Sequence, residues 1–163
     1  MLASWSSDLT ELDLCTATLI APKVLLTAAH CVDADLHPDG NFGVFTGANA
    51  NGFPSASTLV PQLSPIEEIH IHPDYDPDPP FTADIAVITL PEALAAAPLP
   101  VLTTEFDQAL VGEAARIVGY GQTAYDQPNA QKHSANTIIA GIDDGDTITV
   151  GDLDRRSCIG DSG

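Results

Sequence analysis

The sequence predicts an all-β domain, because its apolar segments are short, rich in β-branched residues and bounded by turn-forming residues. Thirteen prolines and 12 glycines are spread over 163 residues, and most of them lie between those segments. The length permits one domain with its own core, although all-β barrels often need about 200–250 residues as a single unit. In chain order, strands are predicted at 12–20, 23–27, 42–47, 66–71, 85–90, 115–119, 136–142 and 147–150.

One segment between the strands departs from this pattern. Residues 91–98 read Pro-Glu-Ala-Leu-Ala-Ala-Ala-Pro and could form a single helical turn. Proline closes the segment at both ends and stops a longer helix. We therefore interpret it as a connector between two halves of the chain.

The charge balance excludes several classes of partner. The chain has 23 acidic and 5 basic residues, a net charge of −18, so it is an acidic protein. Recognition of phosphate groups needs clustered Lys and Arg, and we expect no nucleic-acid partner and no anionic membrane partner. No apolar run approaches the roughly 20 residues that span a bilayer, and the first residues do not resemble a signal peptide.

Three segments contain residues with catalytic potential. They are Leu25–Cys31 with His30, Ala83–Leu90 with Asp84, and Cys158–Gly163 with Ser162. Taken singly, a histidine after an apolar run or an aspartate before a strand is more often structural. Together, histidine, aspartate and serine on three loops beside strands are what nucleophilic catalysis by a hydroxyl requires.

These motifs, Leu-Thr-Ala-Ala-His-Cys, Asp-Ile-Ala-Val and Gly-Asp-Ser-Gly, resemble those of the chymotrypsin/trypsin-like serine protease family. Weaker similarities are Ile71–Tyr75 and Val118–Gly121, where the family usually has Trp in place of Tyr120. The resemblance implies a trypsin-like double β-barrel whose second barrel is incomplete. We expect a single truncated peptidase domain over 1–163, with the first barrel at 1–90, a connector at 91–105 and the incomplete second barrel at 106–163.

The resemblance also implies the roles of individual residues. Ser162 would attack the scissile carbonyl, His30 would act as general base, and Asp84 would orient the imidazole. The backbone N–H groups of Gly160 and Ser162 would form the oxyanion hole. This chemistry is that of a serine endopeptidase and needs no cofactor.

The cysteine count is odd, which by itself leaves open a free thiol, an intermolecular bridge or a partner elsewhere. By resemblance, Cys15 and Cys31 form a disulfide, and Cys158 is one half of a bridge completed beyond the catalytic serine. The family also pairs the acid equivalent to Asp161 with a freed terminal amino group that has no counterpart before Cys15. We therefore expect either a disordered loop or an arginine partner for Asp161.

Specificity is the least determined property. The resemblance places Arg156 at the floor of the primary pocket, where it would favour acidic substrate side chains. A shifted register that leaves Arg156 on the surface is an equally good interpretation. No metal site is expected, because His70 and His72 fit the family pattern and the acidic runs 74–78 and 143–146 are better interpreted as solvated turns than as Ca²⁺ ligands.

The sequence therefore predicts a secreted serine endopeptidase that acts on proteins or peptides. The alternatives are a non-catalytic homologue that serves as a protein-binding module, and an inactive fragment. The presence of His30, Asp84 and Ser162 favours the enzyme. The oligomeric state stays open.

Overall fold

The computed structural model describes residues 1–78, 82–104, 107–122, 130–143, 147–151 and 161–163. Within these ranges the chain is mostly β, with three antiparallel sheets and a few short helical turns. The strands are β1 Leu2–Trp5, β2 Leu12–Cys15, β3 Thr18–Ala21, β4 Val24–Thr27, β5 Asn41–Val44, β6 Ser64–Pro65, β7 Glu68–Ile71, β8 Ala86–Thr89, β9 Ala114–Gly119, β10 His133–Asp143 and β11 Thr147–Val150.

The strand order shows how the sheets are built. The first sheet has the order β2-β1-β5-β6, the second β3-β4-β8-β7 and the third β11-β10-β9. The all-β prediction is therefore confirmed. None of the three sheets closes into a barrel within the described residues.

The main core lies between the first two sheets. Leu25 on β4 pairs with Ile88 on β8, and these side chains are 3% and 0% exposed. Burial alternates along both strands, as expected when one face of a strand meets the core. Leu2 of β1 and Val44 of β5 contribute to the same apolar cluster. This packing holds β4 and β8 in place. The residues of the candidate active site lie just after the end of β4 and just before the start of β8.

The structure differs from the prediction at several places. The predicted strand 12–20 is two strands, β2 and β3, which belong to different sheets. β1 was not predicted, nor was the short helix α1 at Ala56–Leu59, which Ser55 and Thr58 close with reciprocal hydrogen bonds. Contacts with the rest of the fold stabilise these short elements: β1 pairs with two strands, and α1 buries Ala56 and Leu59. Their own sequences are too short for a pattern that would predict them.

The 91–98 segment forms no helix and follows the second sheet. Leu94 N–H donates to the carbonyl of Pro22 at 2.9 Å, and Leu99 N–H donates to that of Leu19 at 2.8 Å. In the described part of the chain, no helix is long and apolar enough to cross a membrane.

Candidate active site

Two neighbouring strands position the histidine and the aspartate. β4 ends at Thr27 and leads into a single 3₁₀ turn, Ala29–Cys31, which carries His30. Asp84 lies two residues before β8. Because β4 and β8 are antiparallel, with Thr27 opposite Ala86, the end of one strand and the start of the other lie side by side. The hydrogen-bonded strand pair therefore brings together two residues that are far apart in sequence.

The carboxylate of Asp84 contacts His30 twice. Its Oδ2 lies 2.7 Å from Nδ1 of the imidazole, and its Oδ1 accepts a hydrogen bond from the His30 backbone N–H at 2.9 Å. The two side chains are 25% and 21% exposed. An ionised carboxylate only accepts, so it keeps the proton on Nδ1 and leaves Nε2 as the basic nitrogen.

The residue before Asp84 has an unusual backbone conformation. Ala83 has a φ of 48°, which lies in the left-handed region that L-residues with a Cβ rarely adopt. The Ile85 N–H donates to the Ala83 carbonyl at 2.7 Å and tightens this turn. Nothing about an alanine in the sequence signalled this conformation.

A disulfide holds the other side of the histidine turn. Cys15, the last residue of β2, is bonded to Cys31, and their Cα atoms are 6.2 Å apart. This is the pairing that the family resemblance implied. It joins the first sheet to the residue directly after His30, so the imidazole lies between a strand pair and a covalent link.

Ser162 lies close to this region through its backbone. Thr16 N–H donates to the Ser162 carbonyl at 2.6 Å. The next residue, Gly163, is packed so closely that a Cβ there would collide with the Thr16 carbonyl and the Thr27 hydroxyl. Thr27 is three residues before His30, so the motif serine is held beside the turn that carries the histidine.

Asp161 is also held, by a donor that the sequence analysis did not consider. Its Oδ1 accepts the Gly121 N–H at 2.7 Å. The preceding Tyr120 N–H donates to Thr16 Oγ1 at 3.2 Å, which binds the same segment to the first half of the chain. Hydrogen bonds from backbone N–H groups stabilise an ionised carboxylate. The sequence analysis expected either a disordered loop or an arginine partner for Asp161. The structure shows a backbone N–H donor, which neither expectation named.

Replacing Gly121 with alanine should displace Asp161. The added Cβ would lie 2.6 Å from each carboxylate oxygen. We expect a loss of about 1–3 kcal/mol of stability from the overpacking, measured by urea unfolding. Gly52→Ala is the control, since no atom lies within 4 Å of the position of its Cβ. Equal stability of the two variants would show that Asp161 is not packed against Gly121.

Tyr75 is a further group that the sequence reasoning noted only as part of a motif. Its hydroxyl is shielded from solvent. Burial raises the pKa of Tyr75, and the negative charges of Asp33 and Asp84 raise it further. Tyr75 therefore stays neutral on the carboxylate side of the histidine–aspartate pair.

Other predicted residues have simpler outcomes. His70 Nε2 lies 3.1 Å from Glu68 Oε2, and His72 Nδ1 accepts a hydrogen bond from the Asp74 N–H. Gly160, Arg156 and Cys158 lie outside the described residues.

One cluster of potential metal ligands occurs in the described part of the chain. It consists of Cys15, His30 and Cys31, whose ligand atoms lie within 4.8 Å of one another. Both sulfurs are in the disulfide, so neither is a thiolate that could bind a metal.

Comparison with known proteins places this geometry in a family. The family profile described as Trypsin matches residues 3–163. The chain therefore belongs to the Trypsin family.

Individual relatives agree with this assignment. A trypsin from Saccharopolyspora erythraea is 27% identical over 130 residues, which cover 80% of this chain and 54% of that protein. An ovochymase from Halocynthia roretzi is 36% identical over 84 residues, which cover 49% of this chain and 5% of that protein. The chain thus spans about half of the trypsin and a small part of the ovochymase.

A solved structure supports the same fold. It is that of neuropsin, a serine protease expressed in the limbic system of mouse brain. The two chains superpose with a TM-score of 0.69 at 22% sequence identity, covering 99% of this chain and 74% of neuropsin. At this identity the similarity bears on the fold alone.

Proposed function

We propose that this protein is a serine endopeptidase that cleaves peptide bonds through an acyl-enzyme. The observation that carries the proposal is the double contact between Asp84 and His30, at 2.7 and 2.9 Å. This arrangement orients the imidazole with Nε2 as its basic nitrogen. The hydrogen bond from Thr16 N–H to the Ser162 carbonyl supports the assignment of the serine, because Thr16 is itself bonded to Thr27, three residues before His30.

Each residue has a defined part in the proposed reaction. His30 takes the proton from the Ser162 hydroxyl as the oxygen attacks the carbonyl carbon, and it then gives that proton to the leaving amine. Asp84 stabilises the imidazolium formed in between. Water then attacks the acyl-enzyme, and His30 takes a proton from the water and returns one to Ser162 as the acid product leaves. The N–H groups of Gly160 and Ser162 stabilise the oxyanion in both steps.

The finer structural predictions belong to the same proposal. We infer a double β-barrel in which β1 to β8 form the first barrel and 106–163 form an incomplete second barrel, joined by 91–105. The shared core of the first two sheets and the separate β9–β11 sheet support this division. Protein or peptide substrates follow from family membership, and Arg156 at the floor of the primary pocket would favour acidic side chains. The disulfide supports secretion, because such bonds persist in oxidising compartments.

Labelling with a fluorophosphonate probe tests this function, because the probe reacts with an activated serine. We expect the 163-residue chain to be labelled and the Ser162→Ala variant to lose the label. Ser57→Ala, at an exposed serine on α1, is the control and should label as the unchanged chain does. An unlabelled chain would favour the non-catalytic homologue or the inactive fragment. A label that survives Ser162→Ala would exclude Ser162 as the nucleophile.

A further inference from the structure

A small cavity lies between β1, the segment that leads into β2 and the loop that precedes β5. Its volume is about 90 Å³. The buried hydroxyl of Ser4 and the half-buried rings of Trp5 and His37 form part of its wall. This is room for roughly three water molecules, enough for the head group of a side chain but not for a whole residue.

Hydrogen bonds fix the wall of the cavity. Ser4 Oγ lies 3.0 Å from His37 Nδ1, and the His37 ring meets Phe42 edge to face at 5.7 Å. Asn41 Nδ2 donates to the Trp5 carbonyl at 3.1 Å, which joins the loop to the end of β1. A site whose walls are already held in place loses little conformational entropy when a ligand enters.

On the wall of the cavity, acidic side chains outnumber the one histidine, His37. Glu11, Asp13 and Asp39 line it, and none of its lining residues is a lysine or an arginine. Asp39 accepts the Ser7 N–H at 2.5 Å, whereas Asp13 is 73% exposed and lies 4.0 Å from His37. The charge therefore favours a cation, and Trp5, which also lines the cavity, is the residue type whose ring attracts a cation most strongly.

The spacing of these acids favours an extended cation over a metal ion. In the described part of the chain, the side chains that line the cavity form no group of three whose ligand atoms all lie within 4.8 Å of one another. A small metal ion requires such convergence. A guanidinium or ammonium group on a flexible stem can contact carboxylates that are farther apart.

The cavity is also within reach of a ligand that occupies the candidate active site. Asp13 and Cys15 are two residues apart on β2, so they are separated by roughly 7 Å along the strand and share a face. Cys15 is bonded to Cys31, the neighbour of His30. The cavity is therefore connected to the candidate active site through Asp13, Cys15 and Cys31.

We propose that this cavity binds the cationic head of a lysine or arginine side chain carried by a polypeptide that lies across the candidate active site. The polypeptide part of this proposal rests on the proposed peptidase function. The cation-binding part rests on the cavity alone.

The test compares two peptides bound to the Ser162→Ala chain, which cannot cleave them by the proposed route. One is an alanine-rich heptapeptide with a single arginine, and the other carries uncharged citrulline at the same position. Binding is followed by NMR through the backbone signals of Ser4 and Asn41 and the indole signal of Trp5. We expect the arginine peptide to shift these signals and to bind several-fold more tightly than the citrulline peptide at low salt.

The paired variant Glu11→Gln/Asp13→Asn should weaken binding of the arginine peptide about fivefold. The control Glu92→Gln/Glu113→Gln removes the same charge at exposed positions that do not line the cavity and should leave the affinity unchanged. Equal binding of the two peptides, or an equal loss in the control, would overturn the proposal. So would CaCl₂ alone, if it shifted the same signals at micromolar concentration.

The outcome is separable from that of the labelling experiment. Labelling of the unchanged chain without arginine-dependent binding would reject the cavity proposal and retain the peptidase. Arginine-dependent binding without labelling would retain the cavity and favour the binding-module alternative.

Discussion

Replacing Asp84 with asparagine should lower the rate of fluorophosphonate labelling by about 10⁴-fold. This is the loss in kcat that the same substitution of the triad aspartate causes in a serine protease, and both reactions need the activated serine. Asparagine has nearly the same shape, so its oxygen can still accept the His30 backbone N–H that now donates to Oδ1 at 2.9 Å. Its NH₂ group then faces Nδ1 and donates to it. This moves the imidazole proton to Nε2, where the nitrogen can no longer accept a proton from Ser162.

The measurement is the second-order labelling rate at pH 7–8, with thermal unfolding as the check on folding. Asp35→Asn is the control, because Asp35 is an exposed acid that lies five residues after His30. We expect the control to label at the rate of the unchanged chain. A loss below tenfold in a folded Asp84→Asn variant would show that the carboxylate does not set the imidazole tautomer, and the proposed mechanism would be wrong.

The candidate site could be predicted from the sequence to the extent that its residues lie in short, contiguous motifs. His30 and Asp84 each adjoin an apolar strand, and those two strands pair directly in the structure. Their contact therefore follows from local patterns and one strand pairing. The Cys15–Cys31 link required the family resemblance as well, since three cysteines alone allow several pairings.

Features that depend on distant residues could not be predicted in this way. The donor to Asp161 is the N–H of Gly121, 40 residues earlier in the chain, and no side chain at that position indicates a contact. The positive φ of Ala83 likewise could not be predicted from the sequence, because alanine has no intrinsic preference for it.

The fold shows the same division between local and long-range information. Long apolar runs such as the one that forms β8 were predicted within a residue of their observed bounds. β1 is Leu-Ala-Ser-Trp, only four residues with mixed polarity, and it is a strand because β2 and β5 pair with it on both sides. Its neighbours thus determine the state of β1 more than its own sequence does.

Removing the disulfide should have the largest effect on stability. The Cys15→Ala/Cys31→Ala variant opens a loop with a sequence separation of 16 residues, for which the chain-entropy model gives about 3 kcal/mol. Alanine is the suitable replacement because Cys31 is 2% exposed and a serine would bury a hydroxyl there. For a domain of this size we expect the Tm to fall by roughly 6–12 °C.

Reduction of the unchanged chain provides the control for this experiment. Dithiothreitol should lower the Tm of the unchanged chain towards that of the double variant and should leave the Tm of the variant itself unaffected. Because Cys31 adjoins His30, the folded variant should also label more slowly, even below its Tm. Slower labelling with an unchanged Tm would mean that the bridge serves to position His30, whereas a lower Tm with unchanged labelling would mean that the β4–β8 pair and Asp84 hold the imidazole without it.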